Sequence, residues 1–270
     1  MKEIKNLLAL LMAATLLVCA VSGCASDSTP NTTDDPQVEE FEEIEEVENV
    51  EEVEAVEGVA EPVEREAFCH TSEEFQTNIE KLINKDDYRF SDDDMGVNYV
   101  LPAGSDIEFD LDGKVQLDDG TVITLPTTHL EMVNLGWNPI EEDPEISKQF
   151  GGLVEYVNAD GTVIMLTIAG DYDADEEAMI PLEDCTIDGV TLSDYLNGGN
   201  IPGFSVCDGI TQDYQIAEVI EKLGSPTMVT YMKDSKWIGL SYIVELDNGF
   251  HMADFTFDAE SGYMIHLDYN

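Results

Sequence analysis

"ADFTFDAESGYMIHLDY", residues 253–269, alternates apolar and polar side chains on both sides of one turn signal. Phe255, Phe257, Ile265, Leu267 and Tyr269 share one parity, and Asp254, Thr256, Asp258, His266 and Asp268 share the other. Successive side chains of a strand point to opposite faces, so a period of two predicts strands with one buried face. Ser261-Gly262 supplies the turn between them. The first set is expected to form core. The second set, with Trp237 and Met264, is expected to face outward, which names a binding surface of Trp237, Asp254, Thr256, Met264, His266 and Asp268. A plain solvated face is the alternative for the same residues.

The rest of the body repeats this grammar. Asp112-Gly113, Asp160-Gly161 and Asn248-Gly249 each interrupt alternating runs, and such pairs suit hairpin turns because their central residues need positive φ. Three helices are expected among the strands. Thr71 followed by Glu74 reads as a capping box before Phe75, Ile79, Leu82 and Ile83. Thr127 and Thr128 open a short segment, 129–135, stopped by Gly136. Asp213 is expected to cap Ile216, Val219, Ile220 and Leu223, with Gly224 and Pro226 ending that helix. Leu135-Gly136 and Leu223-Gly224 are spaced like Gly151 and Gly239, and like Asp160-Gly161 and Asn248-Gly249. One constant offset predicts a tandem duplication. The expected fold class is α+β: two tandem units of helix packed on antiparallel β-sheet, 67–198 and 199–270, after a signal peptide and a disordered acidic tether.

The stretch "DGITQDYQIAEVIEKLGSPTMV", residues 208–229, with the strands after it, resembles a known unit. It is similar to the fold of the β-lactamase inhibitor protein and the SmpA/OmlA outer-membrane assembly lipoproteins. Gly209, Thr211, Leu223, Gly224 and Pro226 carry the likeness, and Trp137-Asn138 departs from it in the first half. The whole chain, with "LPTTHLEMVNLGWNP" (125–139), resembles lipoproteins of Gram-positive gut bacteria. The resemblance implies protein binding and leaves the partner open.

The start of the chain reads as an export signal. Lys2 and Lys5 precede an uncharged apolar run over 7–20, too short to span a bilayer comfortably. Val21-Ser22-Gly23-Cys24 follows and resembles the bacterial lipobox, which implies acylation of Cys24 and removal of residues 1–23. Residues 24–66 then form an acidic tether. Phe41, Ile44, Val47, Val50, Val53, Val56 and Val59 recur every third position among glutamates, a spacing that spirals around an α-helix without making an apolar stripe. The expected location is the extracellular face of the cell membrane, held by lipid.

Lys+Arg 11 against Asp+Glu 59 gives a net charge of −48 in 270 residues. That balance excludes phosphate-backbone recognition, so no nucleic-acid partner is expected. The expected partners are the membrane, through the lipidated cysteine, and an envelope or extracellular protein. No cofactor, metal or catalytic residue is expected. Glu108, Asp110, Asp112, Gly113 and Asp119 fit an EF-hand-like frame, but alternating flanks offer a plain hairpin as the other reading. Export permits disulfides among Cys69, Cys185 and Cys207, and the pairing stays open. His70, His129, His251 and His266 lack HExxH spacing, and no G-x-S-x-G places a serine nucleophile. A lipid-anchored, non-enzymatic binding module is the expected function. An enzyme acting on cell-wall or glycan material, or a solute-binding lipoprotein, is the alternative; the enzyme predicts a pocket gathering two convergent carboxylates or a Cys–His pair.

Overall fold

The computed structural model describes residues 65–270, without 106–108, 110, 143, 247 and 248. The expected signal peptide, Cys24, nearly all of the expected tether, and Glu108 and Asp110 of the EF-hand-like frame lie outside these residues. No described helix is long and apolar enough to cross a membrane.

Strands dominate. In the first part of the chain they are β1 (Arg89–Asp92), β2 (Gly96–Val100), β3 (Lys114–Leu117), β4 (Val122–Thr124), β5 (Thr127–Thr128), β6 (Asn138–Pro139) and β7 (Ile146–Ser147). There follow β8 (Gly152–Val157), β9 (Val163–Ile168), β10 (Met179–Ile180), β11 (Thr186–Ser193), β12 (Phe204–Val206) and β13 (Ile210–Thr211). The last four are β14 (Met228–Met232), β15 (Trp237–Leu246), β16 (Gly249–Asp258) and β17 (Met264–Tyr269). The helices are short: α1 (Ser72–Ile79), α2 (His129–Asn134) and α3 (Ile216–Leu223).

The expectation of two helix-on-sheet units is overturned by the topology. The main sheet runs β1-β2-β14-β15-β16-β17-β11-β9-β8-β6, with β5 paired to β11 at the side. Its middle joint is β17 against β11, antiparallel from Val190↔Tyr269 to Ser193↔His266. Strands from both sides of the expected 198/199 boundary therefore share one sheet, and β2 pairs with β14 as well. The physical reason lies in the edges. Two separate sheets would each present a row of unpaired N–H and C=O groups at β11 and β17, and pairing the strands satisfies both. The three described α-helices, of six to eight residues, also cannot cover so many strands. The fold is a β-rich one.

Local signals explain the short elements. Thr71 Oγ1 accepts from Glu74 N at 3.2 Å and starts α1. The reciprocal arm reaches one residue further back, with His70 N donating to Glu74 Oε2 at 2.8 Å. Thr128 caps α2, and Gly136 at φ +90° stops it. For α3 the cap is Gln215, not Asp213: Gln215 N donates to Glu218 Oε2 at 2.7 Å. The Asp160-Gly161 turn joins β8 to β9, and Asn158 Oδ1 accepts from both Asp160 N and Thr162 N to hold it.

One face of the sheet carries the core. Cross-strand neighbours Tyr99, Val229, Leu240, Phe255, Leu267 and Leu192 are all buried. Phe75 of α1 stacks on Tyr231 with ring centroids 5.1 Å apart. Tyr242 Oη donates to Gly224 O at the end of α3, 3.1 Å away. His129 of α2 meets Tyr156. A second sheet, β13-β12-β3-β4, adds Val115, Leu117, Ile123, Phe204, Val206 and Ile210 to the same core. Gly113 N, beside β3, donates to Tyr269 Oη of β17 at 3.2 Å. The three described α-helices and the second sheet thus cover one side; among the described residues the opposite face carries no α-helix, and the 3₁₀ turn Tyr195–Asn197 lies against β9 and β11.

Candidate functional site: the open sheet face

Register fixes what the open face displays, because directly paired residues share a face. One row crosses the sheet as Val100, Met228, Ser241, Asp254, Asp268, Thr191, Met165 and Glu155. The adjacent row contains Asn98, Thr230, Gly239, Thr256, His266 and Ser193. Trp237 lies one pair further along, opposite Asp258 and Met232. At the centre two carboxylates, Asp254 and Asp268, stand directly opposite one another.

The centre is a hydrogen-bonded network. Ser241 Oγ donates to Asp254 Oδ2 at 2.9 Å. Thr191 Oγ1 donates to Asp268 Oδ1, and His266 Nε2 lies 3.0 Å from Asp268 Oδ2. Thr191 and Ser241 are buried, whereas the Asp268 side chain retains 39% of its exposure and His266 20%. Burial, then the charge of Asp268, pushes the Asp254 carboxyl up to about 6; Ser241 and His266 oppose this only in part. Burial acts against the charged forms of both Asp268 and His266 too. Their mutual contact outweighs it, holding Asp268 below the ordinary aspartate range and His266 above the ordinary histidine value. Asp254 and Asp194 add to the rise at His266. Tyr195, in the turn after β11, is exposed at 64%. Burial of part of the ring, then the charges of Glu155 and Asp268, raise its phenol. The face therefore combines negative charge with an exposed aromatic ring.

A cleft of about 510 Å³ lies elsewhere, against α2 and β6. His129, Val133, Asn138, Pro139, Glu142, Pro144, Pro181, Leu182 and Glu183 line it. Both of its carboxylates, on Glu142 and Glu183, are exposed. Hydrolysis of a glycoside needs a general acid that stays protonated, which burial secures. This pair lacks that burial.

Comparison with protein-family models, curated proteins and solved structures finds no match. Function rests on the face and the cleft themselves.

Of the surface expected from alternation, Trp237, Asp254, Thr256, His266 and Asp268 come together on the open face. Met264 does not. It is 2% exposed and pairs with the core residue Phe257, while Thr256 pairs with His266, so Ile265 is left between them as a bulge. One extra residue inverts the parity of everything beyond it. Thr191, Ser241, Tyr195 and Glu155 escape a reading of single strands, since their role follows from which strands become neighbours. In the calcium frame, Asp112 Oδ1 accepts from Lys114 N and Tyr269 Oη, each at 3.2 Å. Asp119 Oδ1 accepts from Thr121 N at 2.8 Å, inside the β3–β4 turn. Among the described residues no group of three His, Cys, Asp or Glu side chains is arranged to hold a metal. Cys69, Cys185 and Cys207 are all buried, and the Cys207 thiol lies 3.8 Å from Tyr269 Oη. Ser193 stands opposite His266 but is 2% exposed, out of reach of a substrate.

Proposed function

We propose that the chain is a non-enzymatic binding module, lipid-anchored through Cys24 at the extracellular face of a cell membrane, whose open sheet face docks an envelope or extracellular protein. The carrying observation is the Asp254–Asp268 pair at the centre of that face. Like charges directly opposite one another weaken a sheet. The Asp268 side chain keeps 39% of its exposure, so a partner bringing Lys or Arg can reach it, relieve the repulsion and gain charge complementarity. Tyr195, exposed in the turn that follows β11, is the kind of aromatic anchor that binding surfaces use. The seclusion of Ser193 from substrate and the exposure of Glu142 and Glu183 favour binding over catalysis. The membrane part of the reading rests on Lys2, Lys5, the apolar run 7–20 and Val21-Ser22-Gly23-Cys24. The charge of −48 speaks against nucleic acid as the partner.

Affinity capture from envelope extracts tests this with three forms of the full chain: the native one, Tyr195→Ala/Asp268→Asn on the face, and Val122→Ala away from it. A partner retained by the native and Val122 forms and lost from the face variant supports the proposal. Equal recovery by the face variant refutes the face, and recovery of no reproducible partner refutes the binding role.

A further inference from the structure

The cleft against α2 has a chemistry of its own, independent of the open face and of the binding role proposed for it. His129 opens α2, and its Nδ1 lies 2.8 Å from Tyr156 Oη. Tyr156 is fully buried, and burial first, then the nearby Cys185, keeps its phenol protonated, pushed up to about 12. His129 is the hydrogen-bonding partner of that phenol. If Nδ1 carried the proton and donated, the buried O–H would be left without an acceptor, at a cost that folded proteins avoid. The phenol therefore donates to Nδ1, and the imidazole proton sits on Nε2. His129 thus offers the cleft a hydrogen-bond donor in a fixed tautomer.

The remaining lining has two more chemistries. Glu142 and Glu183 are exposed carboxylates, while Val133, Pro139 and Leu182 form an apolar wall. A volume of about 510 Å³ falls among sites that hold small ligands. We propose that this cleft binds a small zwitterion of amino-acid or dipeptide size. Its ammonium group meets Glu142 and Glu183, its apolar side chain lies on Val133 and Leu182, and its carboxylate accepts from His129 Nε2–H. A simple cation leaves the imidazole donor and the apolar wall unused, and a simple anion is repelled by the two glutamates.

Nuclear magnetic resonance of the full chain with ¹⁵N-labelled histidine tests the proposal, using leucyl-leucine as the probe and its N-acetylated form as the control. The free chain is expected to show His129 as the Nε2–H tautomer. Leucyl-leucine is expected to shift the His129 ring signals saturably below ~10 mM, with the acetylated form and Glu142→Gln/Glu183→Gln each weaker by ~10-fold or more, since each abolishes the ammonium–carboxylate contacts. Both glutamates are exposed, so that variant keeps its fold. The proposal is overturned by an Nδ1–H tautomer, by no saturable shift at His129, or by equal binding of the acetylated dipeptide.

Discussion

Replacing Asp254 by Asn should stabilise the fold at neutral pH, and the gain should vanish in acid. In the folded chain the carboxyl is raised from an ordinary 3.8 to about 6, first by burial and then by Asp268 across the strand. Between those values the folded state binds more protons than the unfolded one. Stability must therefore fall as pH rises through this window, with the full penalty present above about 6. A displacement of about two pH units corresponds to about 3 kcal/mol, and solvent reaching the half-exposed Asp268 reduces this to about 1–2 kcal/mol. Asn keeps the shape and can still accept from Ser241 Oγ, so it removes charge and little else. Urea unfolding at pH 4 and pH 7.5 reads the difference through the midpoint at constant slope. The variant should gain about 1–2 kcal/mol at the higher pH and nearly nothing at the lower. If the variant is no more stable than the parent at pH 7.5, or gains equally at both, the cross-strand repulsion is not what the geometry implies. A stabilised variant that also loses the partner would show the charge pair retained for binding at a cost in stability.

Three further outcomes follow from particular contacts. Asp268→Asn removes the carboxylate 3.0 Å from His266 Nε2 and leaves burial in place; the imidazole should then titrate below its parent value in an NMR pH series. An unchanged or higher value would mean that another group supports the charge. Phe75→Ala empties a fully buried site stacked on Tyr231, and calorimetry or denaturant unfolding should register a loss of about 3–5 kcal/mol, the usual range for such truncations. Gly151→Ala places a methyl group against Ile168 O at φ +69°, so it should destabilise the β8–β9 hairpin by at least ~1 kcal/mol. A neutral result in chemical denaturation would mean that the hairpin opens to admit it.

The parts of this fold that are legible in sequence are those set within about ten residues. Thr71 and Thr128 cap helices through their side chains, Gly136 stops one through its positive φ, and Asp160-Gly161 turns between β8 and β9. Alternation places Asp254, Thr256, His266 and Asp268 on one face because strand periodicity is intrinsic to the backbone. It fails at Met264, since a bulge is decided by two strands together and leaves no mark in one. The helix cap at Gln215 was hidden by the more usual capping residue Asp213 nearby. The pairing of β17 with β11 is longer in range still: strands of either half offer the same apolar alternation, and only the free edges decide that they join. That joint creates the candidate site, bringing Thr191 against Asp268, so the face was half visible in the sequence and its network was not.

The central claim is that the open face meets another protein. Tyr195, exposed in the turn after β11, can be replaced by a photo-crosslinking aromatic residue in the full chain expressed in cells, with the same substitution at exposed Val122 on the second sheet as the comparison. The account predicts a discrete, light-dependent adduct from position 195 that Asp268→Asn weakens, and none from position 122. Adducts from 122 alone, or none from 195, would contradict it.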